Sequence, residues 1–167
     1  MKRLLIALLL LTGFQFAEAQ TDTQTDTIPA YKKYPVIPVF TIMTAPDSLK
    51  FTKENMQKSK TTVIMLFSPD CSHCKLATED LLKHIDLFKN AQIIMVSSLD
   101  FSNIKKFYQE FNMSNFPNIT VGRDGSYTLG TFYKIRTYPT LFVYDKKGEF
   151  VKTFSGDIKM QEVAESL

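Results

Sequence analysis

Two thiols separated by two residues, in Cys71-Ser72-His73-Cys74, are the side chains of this 167-residue sequence whose type and spacing point to covalent chemistry. They are also its only cysteines, so no other thiol is available for a long-range structural disulfide. Such a pair can be closed and reopened by thiol-disulfide exchange, in which a thiolate attacks a disulfide sulfur. Pinning a turn is the blander use, but closing a two-residue loop removes little chain entropy compared with a long one. Stability alone is therefore a poor reason for the pair's placement.

The elements around the pair strengthen the redox reading. Thr61-Thr62-Val63-Ile64-Met65-Leu66-Phe67 is a continuous apolar, β-branched run of strand length, expected to be buried on both faces in the middle of a sheet. From Lys75 to Lys89, Ala77, Leu81, Ile85 and Phe88 recur at helical spacing. A C-x-x-C that ends a buried strand and opens a helix is the context in which that spacing reads as redox-active. The first helical turn leaves backbone N–H groups unpaired, and their partial positive charge favours a thiolate on Cys71. His73, between the cysteines, could stabilise it further and tune the pair toward a more oxidising poise. Asp70 pushes the other way and Lys75 partly offsets it.

Further strands are expected at 36–43, as an edge strand because of Pro35 and Pro38, and at 91–96. Thr52 reads as a helix N-cap, with Phe51 and Met56 as a hydrophobic staple, which predicts a short helix to about Lys58. Ile104, Phe107, Tyr108 and Phe111 mark an amphipathic helix opening near Asp100 or Ser102. Ile119-Thr120-Val121 suggests a short strand, and Asp124 a cap for a helix containing Leu129, Phe132 and Tyr133 that Gly130 weakens. Residues 140–144 and 149–154 flank the turn Asp145-Lys146-Lys147-Gly148 as a hairpin, before a terminal helix around Val163.

Met1-Lys2-Arg3, the apolar run Leu4 to Leu11 and Ala17-Glu18-Ala19 have the layout of a cleavable export signal, which divides the chain into a signal at 1–19, a flexible polar leader at 20–35 and one domain at 36–167. The apolar run falls short of the roughly 20 residues a spanning helix needs. Cleavage after Ala19 leaves 148 residues, enough to bury a core, in a periplasmic or secreted setting. Losing Lys2, Arg3 and Glu18 takes the net charge from +3 to +2, too small and too evenly spread along the sequence to argue for nucleic acid or anionic lipid as a partner.

Through Phe67-Ser68-Pro69-Asp70-Cys71-Ser72-His73-Cys74-Lys75 and Tyr138-Pro139-Thr140-Leu141-Phe142-Val143-Tyr144-Asp145-Lys146-Lys147-Gly148, the sequence resembles the thioredoxin superfamily and its exported TlpA/ResA-like branch over roughly residues 36 to 165. The resemblance implies an α/β thioredoxin fold, a central mixed β-sheet flanked by helices, here with an N-terminal strand and helix extension. It implies that Cys71 attacks a partner disulfide and Cys74 resolves the mixed disulfide, with no cofactor. It places the family's cis-proline at Pro139, with Tyr138 offering its backbone to substrate, ahead of the competing Pro117. Its partners would be protein thiols and disulfides, more often with the chain as reductant and with a membrane electron donor. Three positions depart from the family pattern. Asp70 stands where a tryptophan often precedes the first cysteine, Met65 or Leu66 where thioredoxins bury a carboxylate, and Ala77 where some relatives carry a glutamate; Glu79 is a weak substitute because its helical angle points away.

Two rival readings carry specific residues. Two thiolates and a histidine suit a soft-metal carrier for copper, but the only other histidine, His84, lies ten residues past Cys74, about 15 Å along a continuous helix, and no metal set is expected. A non-catalytic binding module of the same fold is the other. A peroxidase would want a lone cysteine after a proline-and-threonine approach, which Ile64 to Cys71 does not supply.

Overall fold

Val63, Ile64, Met65 and Leu66 carry nothing that water must solvate, and with Thr61 and Thr62 they form a strand with all six residues buried. The computed structural model describes residues 28–167, so the expected export signal and the leader up to Thr27 lie outside the described residues. The strands are β1 (Thr41–Thr44), β2 (Leu49–Thr52), β3 (Thr61–Leu66), β4 (Ala91–Ser97), β5 (Ile119–Arg123), β6 (Thr140–Tyr144) and β7 (Phe150–Ser155). The helices are α1 (Ala30–Lys33), α2 (Ser72–Lys83), α3 (Phe101–Glu110), α4 (Thr128–Tyr133) and α5 (Met160–Ala164). One mixed sheet runs in the order β2-β1-β5-β4-β3-β6-β7, with β3–β4 and β4–β5 parallel and β3–β6, β6–β7, β1–β2 and β1–β5 antiparallel.

Period-2 alternation divides the strand residues between two apolar layers. Val63, Met65, Ile93, Met95, Leu141 and Val143 face one core with residues of α2, α3 and α5. Ile64, Leu66, Ile94, Val96, Phe142 and Tyr144 face the other, with Leu129 and Tyr133 of α4 and Tyr31 of α1. The central strands are thus covered on both sides, as their uninterrupted apolar sequences require.

Several local readings are corrected. The 36–43 segment is a strand only from Thr41, and β1 is not an edge: it pairs with β2 throughout and with β5 at Met43 and Thr44. The helix expected at 52–58 is instead the end of β2 followed by a single 3₁₀ turn at Lys53–Asn55. The cap chemistry is present, since Asn55 Oδ1 accepts from the Thr52 N–H at 2.8 Å and its hydroxyl at 3.0 Å, but one turn is all it starts. The long helix after the cysteines stops at Lys83, and Ile85–Phe88 continues as a separate 3₁₀ turn. Within the 20–35 stretch read as leader, Pro29 opens a helical turn whose Tyr31 is buried against Tyr133, Phe142 and Phe150.

The hairpin turn follows its sequence closely. Asp145 Oδ1 accepts from the N–H groups of Lys147 at 2.8 Å and Glu149 at 2.9 Å, while Gly148 takes the positive φ that closes the turn.

Candidate active site

β3 delivers the chain to the cysteines at the C-terminal end of the sheet, and α2 begins one residue later. Cys71 is the N-cap of α2 in an extended conformation, half-buried, with its Sγ 3.9 Å from the carbonyl oxygen of Tyr138. Its thiol is therefore placed to donate weakly to that carbonyl. Cys74, one turn deeper, has no exposed surface. Both are free thiols.

Two environments follow from one turn of helix. Cys74 packs in the α2-side core with Met65, Phe67 and Ala77, and burial pushes its thiol up to about 12. The Ser68 N–H, donating to Cys74 Sγ at 3.4 Å, pulls the other way but is outweighed by that burial. Thr78, also buried, donates its hydroxyl to the Cys74 carbonyl at 2.8 Å, so that proton is not directed at the sulfur.

The ambiguity on β3 is resolved by sidedness. Met65 lies on the Cys74 face and Leu66 on the opposite one, so a thioether and not a carboxylate underlies the deeper thiol. Glu79 is exposed on α2, in keeping with its helical angle. Lys75, which the sequence suggests could offset Asp70, is directed elsewhere: its Nζ meets both carboxylate oxygens of Glu110 on α3 at 2.8 and 2.9 Å.

His73 is exposed, and no hydrogen bond joins its ring to either thiol among the described residues. It borders a groove of about 230 Å³ with Leu76, Gly156, Asp157, Ile158 and Lys159. Leu76, which also lines that groove, is 61% exposed. His84 sits at the far end of α2, with Nδ1 3.0 Å from the Asp80 carbonyl and 3.1 Å from its carboxylate. Among the described residues no three His, Cys, Asp or Glu side chains gather in a metal-binding group.

The Tyr138–Pro139 peptide bond is cis, and its loop enters β6 directly opposite the C-terminal end of β3, where Leu66 pairs with Thr140. Tyr138 is 36% exposed, and burial followed by the neighbouring Tyr127 raises its phenol above the ordinary tyrosine value. Tyr127 had no sequence signal of its own, but Gly130 did. A Cβ at Gly130 would collide with the Tyr127 ring, so the glycine that weakens α4 leaves room for that side chain beside Tyr138. Asp124, buried in the preceding loop, accepts the Leu129 N–H at 2.7 Å and anchors the start of the same helix.

The family model described as thioredoxin-like matches residues 59–150, from two residues before β3 to the start of β7. The chain belongs to the thioredoxin-like family. A curated relative described as "probable protein disulfide-isomerase A6", from Medicago sativa, is 27% identical over 122 residues; the match takes in 71% of this chain but only 32% of the relative, so the chain spans about a third of its length. Among solved structures, a thiol:disulfide interchange protein of the thioredoxin family from Chlorobium tepidum superposes with a TM-score of 0.66 at 17% identity, over 84% of this chain and 94% of that one. A secreted Mycobacterium tuberculosis disulfide oxidoreductase homologous to E. coli DsbE gives 0.63 at 16% identity, over 76% and 92%. These superpositions show that the thioredoxin-like chain shares its fold with both structures.

Proposed function

We propose that the protein is an exported thiol-disulfide oxidoreductase of the TlpA/ResA-like kind that exchanges a Cys71–Cys74 dithiol with protein disulfides, working as a reductant. The observation that carries this reading is the inequality of the two thiols. Cys71 is reachable and faces the Tyr138 carbonyl, whereas Cys74 is sealed and pushed up to about 12.

In the reducing direction, Cys71 loses its proton and attacks one sulfur of a partner disulfide, forming a mixed disulfide and releasing one partner thiolate. Cys74 then loses its proton and attacks Cys71 Sγ, forming the Cys71–Cys74 bond and releasing the second partner thiolate. Two electrons and, after reprotonation, two protons pass to the partner. The buried thiol thus stays protonated until Cys71 is engaged, which keeps the second step from competing with the first.

The resemblance to the TlpA/ResA-like branch supports the reducing direction. A strong oxidant stabilises its dithiol form, and among the described residues no hydrogen bond from His73 reaches either thiol to do so. The exposed His73 would tune the potential only through space, toward the oxidising side. Substrate would run as an extended segment past the Tyr138 backbone and Pro139, with the groove beside Leu76 taking an adjoining side chain. A membrane donor would return the pair to the dithiol form, and residues 1–19 would direct export.

The test is stoichiometric: one equivalent of the reduced protein should reduce one disulfide in a folded protein partner and finish as the Cys71–Cys74 disulfide, identified by mass spectrometry. If thiols are lost without that disulfide forming, the mechanism is wrong.

A further inference from the structure

At the end of the sheet opposite the cysteines, lysines converge. A cleft of about 300 Å³ opens at the N-terminal ends of β3 and β4, and Lys53, Lys58, Lys60, Lys146 and Lys147 are five of its twelve lining residues. No aspartate or glutamate lines it. In a chain whose net charge is only +3, that concentration is not a matter of composition. Gathered like charges repel, and clefts of one sign raise the local concentration of the opposite ion.

The cleft also has a fixed floor. Gln92 is 7% exposed there, with Oε1 accepting the Gln57 N–H at 2.9 Å and Nε2 donating to the Gln57 carbonyl at 2.9 Å and to Thr62 Oγ1 at 3.0 Å. Those bonds pin the segment that carries Lys58 and Lys60 to β4. Across the opening, Lys146 and Lys147 ride the β6–β7 turn, whose own carboxylate, Asp145, is turned to the N–H groups of Lys147 and Glu149. Lys53 differs from the rest, since its Nζ donates to the Ile37 carbonyl. None of the five is ion-paired among the described residues.

We propose that this cleft binds a phosphate-bearing ligand, a multiply charged oxyanion held by Lys58, Lys60, Lys146 and Lys147. Each ammonium presents three donors as a compact charge, the form in which lysine serves phosphate groups. The volume is at the small end of ligand pockets and suits one headgroup or a short phosphoester. Cys71 lies beyond the other end of β3, six residues at ~3.3 Å each and so about 20 Å away. A phosphate held in the cleft would therefore leave the thiols unobstructed, and a lipid headgroup there would turn them away from the bilayer.

Pyrophosphate titrated into the purified protein, followed by calorimetry, tests the site directly. Saturable 1:1 binding should weaken about tenfold or more in the double variant K60Q/K147Q and stay unchanged in K105Q/K106Q, which removes the same charge from the exposed face of α3. Melting temperatures check that both variants are folded. Flotation with phosphatidylcholine vesicles, with and without phosphatidylglycerol, separates the sources. Binding that needs phosphatidylglycerol, is lost in K60Q/K147Q and is competed by pyrophosphate assigns a lipid headgroup. Pyrophosphate binding without flotation assigns a soluble phosphate. Absence of saturable binding in both arms, or equal weakening in both variants, overturns the proposal.

Discussion

The Sγ of Cys71 lies 3.9 Å from the backbone carbonyl of Tyr138, a residue 67 positions further along the chain. That approach is produced by the antiparallel pairing of β3 with β6, which brings the residue before Pro139 to the end of the strand that delivers Cys71. The half-buried thiol therefore sits between the first turn of α2 and the Tyr138 backbone.

Division of labour between the cysteines has a direct chemical consequence. Cys74→Ser should accumulate a mixed disulfide between Cys71 and a protein partner, whereas Cys71→Ser should give none and reduce activity to background. Non-reducing electrophoresis after incubation with an oxidised partner reads both outcomes.

Burial of Cys74 also sets an alkaline limit on the reduced protein. Its thiol is raised from 9.0 to about 12, so the folded state holds a proton that the unfolded state releases first. The associated stability is fully present below about pH 9 and is lost as pH rises toward 12, by at most about 1.4 kcal/mol per pH unit. The phenols of Tyr133 and Tyr144, also raised by burial, add their own loss only above about pH 10. Urea unfolding of Cys74→Ser should therefore show its decline beginning about one unit higher than that of the reduced parent. Identical onsets would contradict the assignment.

Tyr133 and Tyr144 share a buried hydroxyl–hydroxyl hydrogen bond of 2.7 Å. Removing either hydroxyl strands the other, so Tyr133→Phe or Tyr144→Phe should each cost about 1–3 kcal/mol. The double variant should cost less than their sum, because nothing is then left unpaired. Denaturant midpoints of the four proteins complete the cycle.

Much of the architecture was legible because it is written in uninterrupted runs. Val63 to Phe67, Ile93 to Val96 and Leu141 to Tyr144 could be little else than central strands, and Asp145-Lys146-Lys147-Gly148 specifies its own turn. Thr52, with Phe51 and Met56, misled because a cap and staple signal the start of a turn and not its length; the pairing of Leu49–Thr52 with β1 decided the segment. Tyr31 gave no local sign of burial, since its partners Tyr133, Phe142 and Phe150 are more than a hundred residues away. In the site, the turn Cys71 to Cys74 was visible as a motif. Whether Met65 or Leu66 faces it was not, because strand sidedness emerges only from packing against α2 and α3.

Tyr138 should matter for protein substrates in particular. Tyr138→Ala keeps the backbone carbonyl but removes the half-exposed ring, so reduction of a protein disulfide should slow several-fold through a higher KM, while reduction of a small aliphatic disulfide stays within about twofold. Equal slowing of both would assign the residue to the thiols and not to substrate.

The reduction potential of the Cys71–Cys74 pair, obtained by quantifying free thiols after equilibration in graded glutathione or dithiothreitol buffers, tests the central claim most directly. A value near about −270 mV is expected for a reductant. A value approaching about −120 mV, or a pair that does not equilibrate with either buffer, would contradict the account.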